Sequence, residues 1–124
     1  MTAPNLDFIC AEYGRRIGDD TTMEPRLLER LLNKAIGVLQ ENGVYALMLY
    51  LSSRGSTEQQ AARKIKTALR ELWYDQRLMI CLPSEQDEFD TVQQLAQNLD
   101  KLLLVKNLCE QTLIYGRYHA KARG

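Results

Sequence analysis

Leu6, Ile9, Cys10, Tyr13 and Ile17 recur at three- and four-residue steps, the spacing that gathers side chains on one face of a helix. The pattern predicts a first helix over Asn5 to Ile17, ended by Gly18 and followed by the polar link Gly18-Asp19-Asp20-Thr21-Thr22. Pro25 suits the first turn of a second helix, where its missing N–H would have no partner in any case. There Leu27, Leu28, Leu31, Leu32, Ala35, Ile36 and Leu39 form a broad apolar stripe, with Arg26, Glu29, Arg30, Asn33, Lys34, Gly37 and Glu41 on the other side.

Asn42-Gly43 supplies residues that tolerate a left-handed stop, and the run Val44 to Leu51 follows before Gly55. A buried strand is the alternative for so apolar a segment. Only Val44 is β-branched, and the length between glycines is long for a strand, so the pattern predicts a central helix buried nearly all round. Ser56-Thr57-Glu58-Gln59 fits a capping box and predicts a fourth helix with Ala61, Ile65, Ala68, Leu69, Leu72 and Trp73 inward, running to about Arg77. Leu78 to Leu82 reads equally as helix or extended chain, until Pro83.

Ser84 is placed to cap a fifth helix through Phe89, Val92, Leu95, Ala96 and Leu99. Glu85, Asp87, Glu88 and Asp90 then sit at its positive end, which accounts for them without a divalent ion. A sixth helix is predicted from about Lys101 to Ala122, with Leu103, Leu108, Thr112, Leu113 and Tyr115, closing on Arg117, Lys121 and Arg123. The expectation is all-α: a single compact bundle of about five to six helices, one domain over residues 1–124.

Composition narrows the chemistry. Hydrophobic residues make up 45% and charged residues 26%, near the globular average, which excludes disorder as the default. No apolar run approaches the ~20 residues a bilayer needs, and Met1 to Asp7 has no signal-peptide pattern, so the expected location is the cytoplasm. Cys10, Cys81 and Cys109 are widely spaced and read as reduced core residues. With one histidine and no close cysteine pair, neither a zinc site nor any other cofactor is expected. His119 lacks a nucleophile partnered in the sequence, and no glycine-rich phosphate loop is present, so no enzyme is expected.

The formal net charge is zero, but its distribution is uneven. Arg54, Arg63, Lys64, Lys66, Arg70 and Arg77 outnumber Glu58, Glu71 and Asp75 in one stretch, whereas Leu82 to Asp100 holds acids only. On a continuous fourth helix Arg63, Lys66, Arg70 and Arg77 fall within roughly 60° of arc, with Tyr74 on that side, over about 21 Å. Such a stripe suits successive phosphates, and Tyr74 could stack on a base. Arg15, Arg16, Arg117 and Lys121 are weaker candidates, since cations at helix C-termini are favoured by the dipole alone.

Leu31 to Gly55, LLNKAIGVLQENGVYALMLYLSSRG, resembles the central segment of the small helical subunit of the type III-B CRISPR effector, the Cmr complex. In that family an amphipathic helix ends at Asn-Gly and an apolar helix with Ala-Leu near its start follows. Phe8-Ile9-Cys10-Ala11 is similar to the family's first helix, Leu69 to Tyr74 to its fourth, and Tyr115 to Ala122 to its closing helix. Gly116 and His119 depart from the apolar and aromatic residues usual at those places. The resemblance implies a non-catalytic subunit, copies of which stack as a filament beside guide RNA and target RNA and touch other Cmr subunits. The small subunit of the type III-A complex is the nearest competitor. Two further readings are a protein-interaction adaptor without nucleic acid and a helix-turn-helix regulator. The latter needs a polar recognition helix that Val44 to Leu51 does not offer.

Overall fold

Six helices, and no strand, are found among the residues that the computed structural model describes, 5–80 and 87–124. They are α1 (Leu6–Gly18), α2 (Pro25–Asn42), α3 (Val44–Ser52), α4 (Gln59–Trp73), α5 (Glu88–Leu95) and α6 (Leu99–Arg123). The fold is therefore an all-α bundle. Asn5 caps α1 by accepting from the Phe8 N–H at 3.1 Å. Pro25 opens α2, and the Glu24 carboxylate accepts from the N–H groups of Arg26 and Leu27 at 3.0 and 2.8 Å.

The turn between α2 and α3 depends on Gly43, whose φ of 92° and ψ of −174° lie in a region reserved for glycine. Its N–H closes α2 on the Leu39 carbonyl at 3.0 Å, and α3 starts at the next residue. Helix is thus the outcome for Val44 to Leu51, but it is not buried nearly all round. Val44, Leu47, Met48 and Leu51 face the core, while Tyr45 and Leu49 are 39% and 50% exposed. The segment packs on α2, α4 and α5, and these cover one side only.

Three boundaries differ from those predicted. The capping box at Ser56 does not form: residues 56–58 make a turn, and α4 starts at Gln59 behind Glu58 without a side-chain cap. α4 ends at Trp73 rather than near Arg77, because the Asp75 carboxylate accepts from the Arg77 N–H at 3.0 Å and gives the backbone an alternative to another helical turn. The predicted cap Ser84 lies outside the described residues. Asp87 caps α5 by accepting from the Asp90 N–H at 2.8 Å. α5 then stops at Leu95 instead of Leu99, and Asn98 caps α6 through the Lys101 N–H at 3.1 Å.

α6 is the spine. Gln40 donates to Glu110 at 3.1 Å and Arg117 to Asn33 at 2.9 Å, so α2 and α6 run antiparallel. Against α1 the pairing rises in the same sense: Gly14 faces Thr112, Tyr115 and Gly116, and Gly18 faces Gly116, His119 and Ala120. The absent Cβ atoms at Gly14 and Gly18 let two backbones approach as closely as side chains normally do. Trp73 plugs the centre at 1% exposure, its indole N–H donating to Cys109 Sγ at 3.1 Å. Burial pushes the Cys109 thiol up to about 12, consistent with a reduced core residue. Cys10 is likewise buried and free, while Cys81 lies outside the described residues.

Candidate nucleic-acid interface

The basic stripe predicted on the fourth helix divides into parts with different partners. Lys66 Nζ lies 2.6 Å from Glu88 Oε1 and donates to Ser52 at 2.9 Å; Arg70 Nη1 lies 3.6 Å from Glu88 Oε2. Burial disfavours charge on Glu88, yet the Lys66 hydrogen bond and the two cations outweigh it and hold the carboxyl below its usual value. This triad ties the start of α5 to α4. Tyr74 is half-buried and shares a 2.6 Å hydrogen bond with Thr91, which engages its hydroxyl in packing α4 on α5.

Because α4 ends at Trp73, Arg77 is off the helix and off the predicted arc. It grips Glu12 at 3.1 and 3.2 Å and Asp75 at 2.8 Å, a lock between α1 and the turn after α4. The Arg77 guanidinium holds Asp75 well below the ordinary carboxylate range, against burial and with help from the Tyr13 hydroxyl, which donates to Asp75 at 2.8 Å. Burial, followed by that hydrogen bond, pushes Tyr13 up to about 12. Arg16 pairs with Glu71, and Arg15 with Asp19 at 3.3 Å. Of the stripe, Arg63 alone is exposed with no ion pair to a described carboxylate.

Arg117 and Lys121 stand elsewhere. The antiparallel seam of α2 and α6 opens at the N-terminal end of α2 into a groove of about 750 Å³. Arg26 and Arg30, one helical turn apart on α2, face Arg117 and Lys121, one turn apart on α6. None of the four is ion-paired to a described carboxylate. Asn33 holds the Arg117 guanidinium at 2.9 Å without neutralising it. Glu24, which caps α2, and Glu29 also line the groove, but two carboxylates against four cations leave the balance positive. Tyr118 completes the wall at 59% exposure, with Arg117 5.4 Å from its ring centre. Arg123 is used differently, donating to the carbonyls of Gly18, Asp20 and Met23 behind the end of α1.

Arg26 and Arg30 were not among the residues predicted to bind. Their signal, Arg-x-x-x-Arg on the polar side of α2, is visible in the sequence but ordinary; what gives it weight is the antiparallel register that brings it beside Arg117 and Lys121. Among the described residues no group of three or more His, Cys, Asp and Glu side chains is arranged to hold a metal ion, and no helix is long and apolar enough to cross a membrane. No protein-family model, curated protein or solved structure matches this chain.

Proposed function

We propose that this chain is a non-catalytic subunit of a ribonucleoprotein effector of the type III-B CRISPR (Cmr) kind. In this reading it holds guide or target RNA by the sugar–phosphate backbone and touches neighbouring subunits, copies of itself included. The observation that carries the RNA part is the α2/α6 groove, where four cations converge with no ion pair to a described carboxylate. Cations so placed meet phosphates without reading bases, as a subunit that serves any guide sequence must. Leu99 and Leu103, 66% and 49% exposed one turn apart on α6, support contact with other subunits. The resemblance of Leu31 to Gly55 supplies the kind of assembly.

The test is anisotropy of labelled RNA titrated with the purified chain at several salt concentrations. Four phosphate contacts give a slope of about −3 in log affinity against log salt on a single strand. Charge reversal of Arg26, Arg30 and Lys121 together should remove binding while the far-ultraviolet dichroism stays helical. Binding that survives the triple reversal removes the groove from the proposal.

A further inference from the structure

We infer that the α2/α6 groove takes an unpaired stretch of RNA, with one base stacked on Tyr118; this rests on the proposed backbone-binding role of the same groove. All six tyrosines are described, and Tyr118 is the most exposed of them. Three others have their hydroxyls engaged within the fold: Tyr13 with Asp75, Tyr74 with Thr91 and Tyr115 with Asp7. Tyr45 packs its ring on Phe89 at 5.3 Å, and Tyr50 has its hydroxyl buried and its ring under the Arg54 guanidinium at 3.9 Å. Among the described residues the Tyr118 hydroxyl has no hydrogen-bond partner, and the ring's contact is with a cation, the Arg117 guanidinium 5.4 Å from its centre.

Its position puts it among the groove cations. Arg117 and Lys121 flank it on α6, and Arg26 and Arg30 face it from α2, so among the described residues that line the groove Tyr118 is the one that offers a flat aromatic face. Arg26 to Asn33 spans about 10 Å along α2 at 1.5 Å per residue, room for two or three successive nucleotides. Cations that follow a backbone beside an exposed aromatic form the arrangement that binds single strands, because every base has a face to stack and an unpaired strand can turn that face outward. In a duplex both faces of each internal base are already stacked. Phosphate contacts would survive there, but the ring would gain nothing.

The experiment compares a fluorescein-labelled adenosine decamer with a ten-pair RNA duplex, bound to the full chain at one low salt concentration. Wild type should bind the decamer more tightly. Tyr118→Ala should lose about tenfold on the decamer and leave the duplex unchanged, whereas Tyr118→Phe, which keeps the ring, should match wild type on both. Equal affinity for the two RNAs, or a decamer affinity unmoved by Tyr118→Ala, would overturn the stacking inference and leave the backbone reading standing. Failure of wild type to bind either RNA would overturn both.

Discussion

The same glycine-to-alanine substitution should have different effects on stability according to whether the glycine lies in the close approach of α1 and α6. An alanine Cβ at Gly18 would sit 2.4 Å from His119 Cβ and 2.5 Å from the Gly116 carbonyl oxygen; at Gly14 it would sit 2.5 Å from Tyr115 Cβ and 2.9 Å from the Thr112 oxygen. Carbon atoms prefer roughly 3.5–4.0 Å, so the two helices must separate by about 1 Å, and neither a backbone oxygen nor a Cβ can swing aside. Overpacking of this kind costs about 3 kcal/mol at the upper end of its usual range, offset by up to about 1 kcal/mol of helix propensity. Each of Gly14→Ala and Gly18→Ala should therefore destabilise by about 2 kcal/mol. Gly116 would place its Cβ at 3.4 Å or more from its neighbours, an ordinary contact, and Gly37 has nothing within 4 Å. Gly116→Ala should be close to neutral, and Gly37→Ala should stabilise by about 0.5–1 kcal/mol. Urea unfolding of the four variants at neutral pH, with unchanged slopes, measures all of this. If Gly18→Ala proved as stable as Gly37→Ala, the close approach of α1 and α6 would be refuted.

Acid and alkali should attack the same lock. Asp75 is depressed in the folded protein, so its contribution is complete above the ordinary carboxylate pKa near 4 and is lost as pH falls toward the folded value; Asp75→Asn should flatten that acid limb in thermal melts. Tyr13, raised to about 12, contributes fully below pH 10 and loses its contribution as pH climbs from 10 to 12, a limb that Tyr13→Phe should remove. Glu88→Gln leaves Lys66 and Arg70 without the carboxylate they share and should cost about 2 kcal/mol, below the fully buried range because both cations are partly exposed. RNA affinity should not rise in that variant; a marked gain would restore α4 as the binding face. Gly43→Ala, with open space but φ of 92°, should destabilise by about 1–3 kcal/mol in urea unfolding.

What could be foreseen follows the range of the forces involved. Helix identity is governed by local spacing, and α2, with Pro25 at its start and Gly43 at its end, lies where its apolar stripe and stop signal place it. The end of α4 is governed by a contact from outside the segment: Asp75 is bound by Tyr13 of α1, 62 residues away, and this favours the turn over the further helical turn that periodicity alone predicts. The Ser56 capping box fails for a related reason, since the motif states that a cap is possible, not that the chain enters the helix at that residue. Tertiary contact also decides which cations are spent. The charge excess on α4 is real as a sequence pattern, but Glu88, from beyond Pro83, returns to neutralise Lys66 and Arg70.

That redistribution explains how a chain of zero net charge can offer a positive groove. Glu12, Asp19, Asp20, Glu58, Glu71, Asp75 and Glu88 are matched against Arg15, Arg16, Arg54, Lys64, Lys66, Arg70 and Arg77, chiefly between α4 with its following turn and either the α1 region or the start of α5. Carboxylates used there are not available to α2 and α6, and of the two acids that line the groove Glu24 is held by backbone N–H groups at the helix start. The pairing thus fastens the bundle while leaving Arg26, Arg30 and Lys121 exposed, and Arg117 part-exposed, in the groove proposed for RNA. It follows that raising salt should weaken the proposed RNA binding more than it weakens the fold, because the groove is open to solvent while the carboxylates of Glu88 and Asp75, at the centre of the fold's ion pairs, are only 11% and 10% exposed. Measuring affinity and unfolding free energy over the same salt series separates the two: a parallel decline would mean that the same charges do both jobs, contrary to this division.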